Sequence, residues 1–135
     1  MPRSYYPKRG DIVWLTFNPK AGHEQAGHRP ALVLSPEPYN RKVGLAVLCP
    51  ITSQVKGYPF EVKLPDNFKV SGVVLSDQVK NLDWKARKAS FCCSAPSDVL
   101  RQVLNRGNAR ESQILAMALF SYKKVLNIAQ SRNLI

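Results

Sequence analysis

Gly57-Tyr58-Pro59-Phe60-Glu61-Val62-Lys63-Leu64 places a turn directly ahead of a strand. Glycine and proline mark the turn. Phe60, Val62 and Leu64 then alternate with Glu61 and Lys63, the period of two that buries one face of a strand and wets the other. Downstream, Gly72 opens another strong strand, Val73 to Val79. Upstream, Asp11 to Phe17 is β-branched and aromatic, follows Gly10 and ends at the turn signal Asn18-Pro19. Ala31 to Ser35 forms a second strand and Leu45 to Ile51 a third, with Pro50 setting its end near an edge or bulge and Thr52 and Ser53 delivered to a loop. Closely spaced strands with turn punctuation and little helix between them predict a small, strongly curved antiparallel sheet or barrel.

The pattern changes after Pro96. Ser97 is a good N-cap, and Leu100, Val103 and Leu104 sit at helical spacing, so a short helix is expected to pack on the sheet. Gly107 and Asn108 interrupt it. From about Glu111 to Arg132, Ile114, Leu115, Ala118, Leu119, Tyr122, Val125, Leu126 and Ala129 form one apolar stripe opposed by Lys123, Lys124 and Gln130, which predicts a longer amphipathic helix. The class is mainly β with C-terminal helices (α+β).

A chain of 135 residues is one ordinary domain, long enough to bury a core without a structural metal. Its 20 Lys and Arg against 9 Asp and Glu give a net charge of +11, which makes polyanions, nucleic acid or an acidic protein tail, the natural class of partner. Cys49, Cys92 and Cys93 are an odd set that implies no disulfide framework. With His23 and His28 they match no zinc-ligand spacing, so no metal or other cofactor is expected. The N-terminus has no apolar signal region and no apolar run reaches the length of a membrane span, so a cytoplasmic protein is expected.

One loop carries the chemistry. His23-Glu24-Gln25-Ala26-Gly27-His28-Arg29-Pro30 gathers two imidazoles, a carboxylate, an amide and a guanidinium. Phosphoryl chemistry on RNA needs a proton acceptor, a proton donor and positive charge where the oxyanion develops, and His28, Glu24 and Arg29 can supply these. Pro30 pushes Arg29 out of the α region into an extended conformation. About a dozen residues separate the first two strands, a length more often functional than that of a short connection.

Taken together, these stretches resemble the MazF/PemK family of toxins, the mRNA interferases of bacterial toxin–antitoxin pairs. Gly10-Asp11-Ile12-Val13-Trp14 is similar to that family's opening strand, and His23 to Ser35 to its signature loop and second strand. Pro50-Ile51-Thr52-Ser53-Gln54, the run from Lys56 to Val62, and Gly72 to Ala89 with Asp77-Gln78-Val79-Lys80 and Asp83-Trp84 continue the likeness in order, over roughly residues 5 to 104. The resemblance implies an SH3-like barrel with a terminal helix, a homodimer, and metal-independent cleavage of single-stranded mRNA at a short sequence to 2′,3′-cyclic phosphate and 5′-hydroxyl ends. It also implies inhibition by an antitoxin with an acidic C-terminal segment. Carried over residue by residue, the catalytic arginine falls on Arg29, the catalytic threonine on Thr52 and the loop glutamate on Glu24, with His28 and Gln25 in the same loop.

Unpaired bases are read by stacking faces and polar edges, which makes Trp14, Gln25, Asn40, Ser53, Gln54, Lys56, Gln78 and Lys80 candidate RNA-binding residues. Trp84 and Tyr58 fit a core or an interface equally well, and Lys85, Arg87 and Lys88 form a basic cluster suited to phosphates. Residues 107–135 lie outside the family pattern and divide the chain into a family domain, 1–106, and a helical extension. The competing readings are a toxin of the same CcdB-like barrel that binds DNA gyrase without catalysis, and a barrel that binds nucleic acid or an acidic peptide.

Overall fold

The computed structural model describes residues 4–16 and 28–106, together with Ile114 and Leu119. Within them the chain runs β1 (Asp11–Thr16), β2 (His28–Val33), α1 (Glu37–Val43), β3 (Leu45–Thr52), β4 (Glu61–Lys63), β5 (Val73–Leu75), β6 (Lys80–Asp83), β7 (Ser90–Ser94) and α2 (Ser97–Arg106). The strands form a seven-stranded sheet in the order β4-β5-β3-β2-β1-β7, with β6 also paired to β3. Each of these pairings is antiparallel.

The sheet turns on β3. One edge of this strand pairs with β2 from Val33↔Leu48 to Ala31↔Pro50. The other edge pairs with β6 over Leu45 to Leu48 and with β5 over Ile51 and Thr52. Pro50 falls between those two ladders, where a missing N–H interrupts neither. The proline thus marks a change of partner inside a long strand, and Thr52 ends that strand beside β5.

The central strands are covered on both faces, which explains their nearly continuous apolar runs. Ile12, Leu32, Leu34, Val47, Cys49 and Ile51 pack with Val62, Leu64 and Val74 and with Val99 and Val103 of α2. Ile114, helical and fully buried, joins this layer, whereas Leu119 is exposed. On the opposite face Val13, Leu15, Ala31, Val33, Ala46 and Leu48 pack with Trp84, against which Tyr5, Tyr6, Leu82 and Ala89 close.

Several boundaries differ from the sequence expectation. β2 begins at His28 rather than Ala31, because pairing with β1 through Thr16↔His28 and Trp14↔Pro30 carries the strand back through the Arg-Pro pair. The predicted strand Val73 to Val79 is interrupted: the Ser76 hydroxyl donates to the Phe60 carbonyl, Gln78 N donates to Leu75 O, and the chain re-enters the sheet as β6. The Pro96 carbonyl accepts both Val99 N and Leu100 N, so α2 already includes Ser97 instead of being capped by it. α1 was too short to show a helical period; proline near its start and Gly44 in the left-handed region at its end delimit it. The predicted helix from Glu111 to Arg132 lies outside the described residues except at Ile114 and Leu119, both helical.

Candidate active site

Three segments meet at one open cleft of about 460 Å³. β1 and β2 contribute Trp14, Arg29 and Pro30; the end of β3 contributes Ile51, Thr52, Ser53 and Gln54; the β4–β5 connection contributes Lys69, Val70 and Ser71. Arg29 and Thr52 are separated by more than twenty positions in sequence, yet the β2–β3 pairing brings the start of one strand and the end of the other to the same side of the sheet. Arg29 is exposed, and no described carboxylate forms an ion pair with it, so its planar set of donors faces solvent.

Thr52 is held from two sides. Its Oγ1 accepts a hydrogen bond from Gln54 N at 3.1 Å, which orients the side chain and leaves the hydroxyl proton free to donate outward. Behind it, Gly72 has φ +113° and stands so close that a Cβ there would lie 2.1 Å from the Thr52 carbonyl oxygen. Only a glycine permits that approach. Leu64 N donates to Gly72 O at 3.0 Å and closes the base of the β4–β5 connection, so this wall of the cleft is fixed directly against the strand that ends in Thr52.

His28 does not line the cleft but stands at its border, exposed and stacked on Trp14 with ring centroids 5.1 Å apart and planes 11° from parallel. The two are diagonal neighbours on the paired strands β1 and β2, a separation that aromatic side chains span. Glu24 and Gln25 lie outside the described residues.

The remaining candidates separate cleanly. Trp14, Ser53 and Gln54 line the cleft with Arg29 and Thr52, while Lys56, Gln78 and Lys80 are exposed but stand apart from its lining. Lys56 belongs to a loop fastened by the buried Glu61, whose carboxylate accepts Lys56 N at 3.1 Å and Gly57 N at 2.9 Å. Asn40 is a correction. It is fully buried in α1, where Oδ1 accepts the Ser35 hydroxyl at 2.6 Å and Nδ2 donates to Pro7 O and Ser35 O. With its amide group spent on this network, Asn40 braces the fold and cannot reach a base. The Asn40 carbonyl also accepts Trp84 Nε1 at 2.9 Å, which assigns Trp84 to the core.

Lys69 and Ser71 were missed in the sequence, as was the Trp14–His28 stack. Their one signal is Gly72, which demands a close backbone approach just after them. The cysteines are unpaired. Burial, reinforced by the charge of Asp77, pushes the Cys49 thiol up to about 12, and burial with the neighbouring Cys92 pushes Cys93 up to about 11. Thiols held protonated in this way are poor nucleophiles.

The sheet that brings this guanidinium and hydroxyl to one open cleft has the fold of solved bacterial proteins. MazF from Deinococcus radiodurans superposes with a TM-score of 0.69 at 55% identity, covering 76% of this chain and 94% of that one. The MazE–MazF complex from the same organism matches with a TM-score of 0.69 at 50% identity, over 76% and 92%. In sequence, the endoribonuclease toxin MazF of Escherichia coli K12 is 52% identical over 90 residues, 67% of this chain and 80% of that relative. The model of PemK-like, MazF-like toxins of type II toxin–antitoxin systems matches residues 8–108. The chain belongs to that PemK/MazF toxin family.

Proposed function

We propose that the protein is the toxin of a toxin–antitoxin pair and cuts single-stranded mRNA at the cleft between β2 and β3, at a short sequence and without a metal. The observation that carries this reading is the convergence of Arg29 and Thr52 on one cleft from separate strands. RNA supplies its own nucleophile. The 2′-oxygen attacks phosphorus as the bond to the 5′-oxygen breaks; the 2′-hydroxyl proton passes to a base of the loop, His28 or Glu24, and a proton is returned to the departing 5′-oxygen. Arg29 pairs with the non-bridging oxygens as negative charge grows on them, and the free proton of the Thr52 hydroxyl donates to the same phosphate. The products are a 2′,3′-cyclic phosphate and a 5′-hydroxyl end.

Ser53, Gln54 and Trp14 are the base-contacting groups of the cleft, with Lys56, Gln78, Lys80 and Gln25 extending contact to the strand beyond it. The net charge of +11 suits an antitoxin that neutralises the cleft with an acidic segment. The working form is a homodimer in the cytoplasm; among the described residues no helix is long and apolar enough to cross a membrane. Residues 1–106 act as the endoribonuclease unit and 107–135 as a helical extension.

The test is to incubate purified protein with a long single-stranded RNA in excess EDTA and map cut sites and end chemistry, beside Arg29→Ala. Discrete cuts at one short word with cyclic phosphate ends are expected, with loss of about 10²-fold or more in rate in the variant. Cutting that persists undiminished in Arg29→Ala overturns the mechanism, and a folded wild-type protein that cuts nothing overturns the function.

A further inference from the structure

The chemistry just proposed makes no use of Lys69, the other cation among the described residues that line the cleft. It belongs to the segment between β4 and β5, where Val70 is buried among the core residues while Lys69 and Ser71 stay exposed on either side. Gly72 presses this segment onto the Thr52 carbonyl, so Lys69 is placed relative to the reactive strand by backbone contact rather than by a free loop. Its Nζ donates to the Cys92 carbonyl on β7 at 3.2 Å. That bond takes one of three N–H donors and leaves two. No described carboxylate forms an ion pair with this ammonium, so among the described residues its charge adds to that of Arg29 on the wall of the cleft.

A lysine with an anchored head loses little side-chain freedom when an anion arrives. An ammonium is also a point charge without the planar fork that grips a reacting phosphate in one orientation, so it suits attraction of the strand more than stabilisation of the phosphorane. We propose that Lys69 binds a backbone phosphate of the RNA next to the scissile one, and so sets substrate affinity and register without taking part in bond breaking. This inference rests on the RNA-cleaving reading of the cleft.

The test uses the full chain, a fluorescent oligoribonucleotide containing the mapped cut site with a 2′-deoxy sugar at the cut position, and its cleavable all-ribose counterpart. Binding is followed by anisotropy over a salt series for wild type, Lys69→Gln and Lys69→Arg, with thermal melting of each variant to establish folding. Loss of one phosphate contact should make the slope of log K against log salt shallower by about 0.7 in Lys69→Gln. With the cleavable strand, KM should rise roughly five- to tenfold while kcat stays within about twofold, the signature of binding shared by ground and transition states. Lys69→Arg keeps the charge and should keep the wild-type slope. An unchanged slope and KM in a folded Lys69→Gln, or a fall in kcat with KM unchanged, overturns the inference while wild-type cleavage leaves the function standing. Absence of wild-type cleavage overturns the function itself.

Discussion

Replacing Gly72 with alanine should damage stability and cleavage together, and the size of the damage follows from two separate costs. The added methyl would lie 2.1 Å from the Thr52 carbonyl oxygen, 2.8 Å from its carbon and 2.9 Å from Ser53 Cα, all backbone atoms that no side-chain rotation can move aside. Forcing a methyl into such a contact costs about 1–3 kcal/mol. The backbone at φ +113° is strained for any residue with a Cβ, adding about 1–3 kcal/mol. The sum, about 2–6 kcal/mol, corresponds to a fall in Tm of roughly 8–24 °C at about 4 °C per kcal/mol for a domain of this size. Relief of the clash must displace Thr52, Ser53 or the β4–β5 wall, so the cleavage rate should fall even well below the melting range.

Gly44→Ala is the control. Gly44 has φ +80° with nothing within 4 Å of a built Cβ, so this variant carries the conformational cost alone, about 1–2 kcal/mol, with cleavage unchanged. Melting by circular dichroism at fixed protein concentration and initial rates on a fluorogenic RNA, both at one pH, measure the difference. A Gly72→Ala protein that melts with Gly44→Ala and cuts at the parent rate would refute the idea that close backbone packing holds Thr52 in place.

Asn40→Ala should lose about 2–4 kcal/mol, because it strands the Ser35 hydroxyl and the Pro7 carbonyl in a buried network, yet its rate at low temperature should match the parent; thermal melts beside kinetics check both. Glu61→Gln takes the charged acceptor from both loop amides, Lys56 N and Gly57 N, and leaves one of them facing a donor NH2. About 1.5–3 kcal/mol of stability and faster amide exchange over residues 55–58 are the expected costs, read by hydrogen exchange. Cys49, with its thiol pushed from about 9 up to about 12, should resist iodoacetamide at pH 8.5 until the chain is unfolded. Because the folded state holds that proton more tightly, its contribution is complete below pH 9 and declines as pH rises toward 12, so Cys49→Ala should lose less stability than the parent between pH 9 and 11.

The strands that announce themselves by period and punctuation, β1, β3 and β4, were legible because their apolar residues satisfy a core that any folding of this chain must build. β6 and β7 were not. Lys80–Asp83 is amphipathic only in its setting, as the second partner of β3, and Ser90–Ser94 takes its strand identity from pairing with β1. Arg29 and Thr52 were readable through the family pattern, and the fold adds the reason they meet. Asn40 misled because a polar residue outside a strand resembles a surface group, while its burial depends on Pro7 and Trp84, remote in sequence. Lys69 was missed for the converse reason: Gly72 hints at a close backbone approach nearby, but nothing in the lysine itself distinguishes one on a cleft wall from one in open solvent.

The stack of Trp14 on His28 turns the resting protein into its own optical indicator. An aromatic ring held face to face on an indole sets the surroundings from which that indole emits. Trp84, the other tryptophan, is buried under Tyr6 and hydrogen-bonded to the Asn40 carbonyl, so it supplies a nearly constant background. The difference in intrinsic fluorescence between Trp14→Phe and parent protein therefore isolates the emission of the ring at the border of the cleft, so a bound strand that displaces the stack is read with no dye attached and no residue of the loop altered.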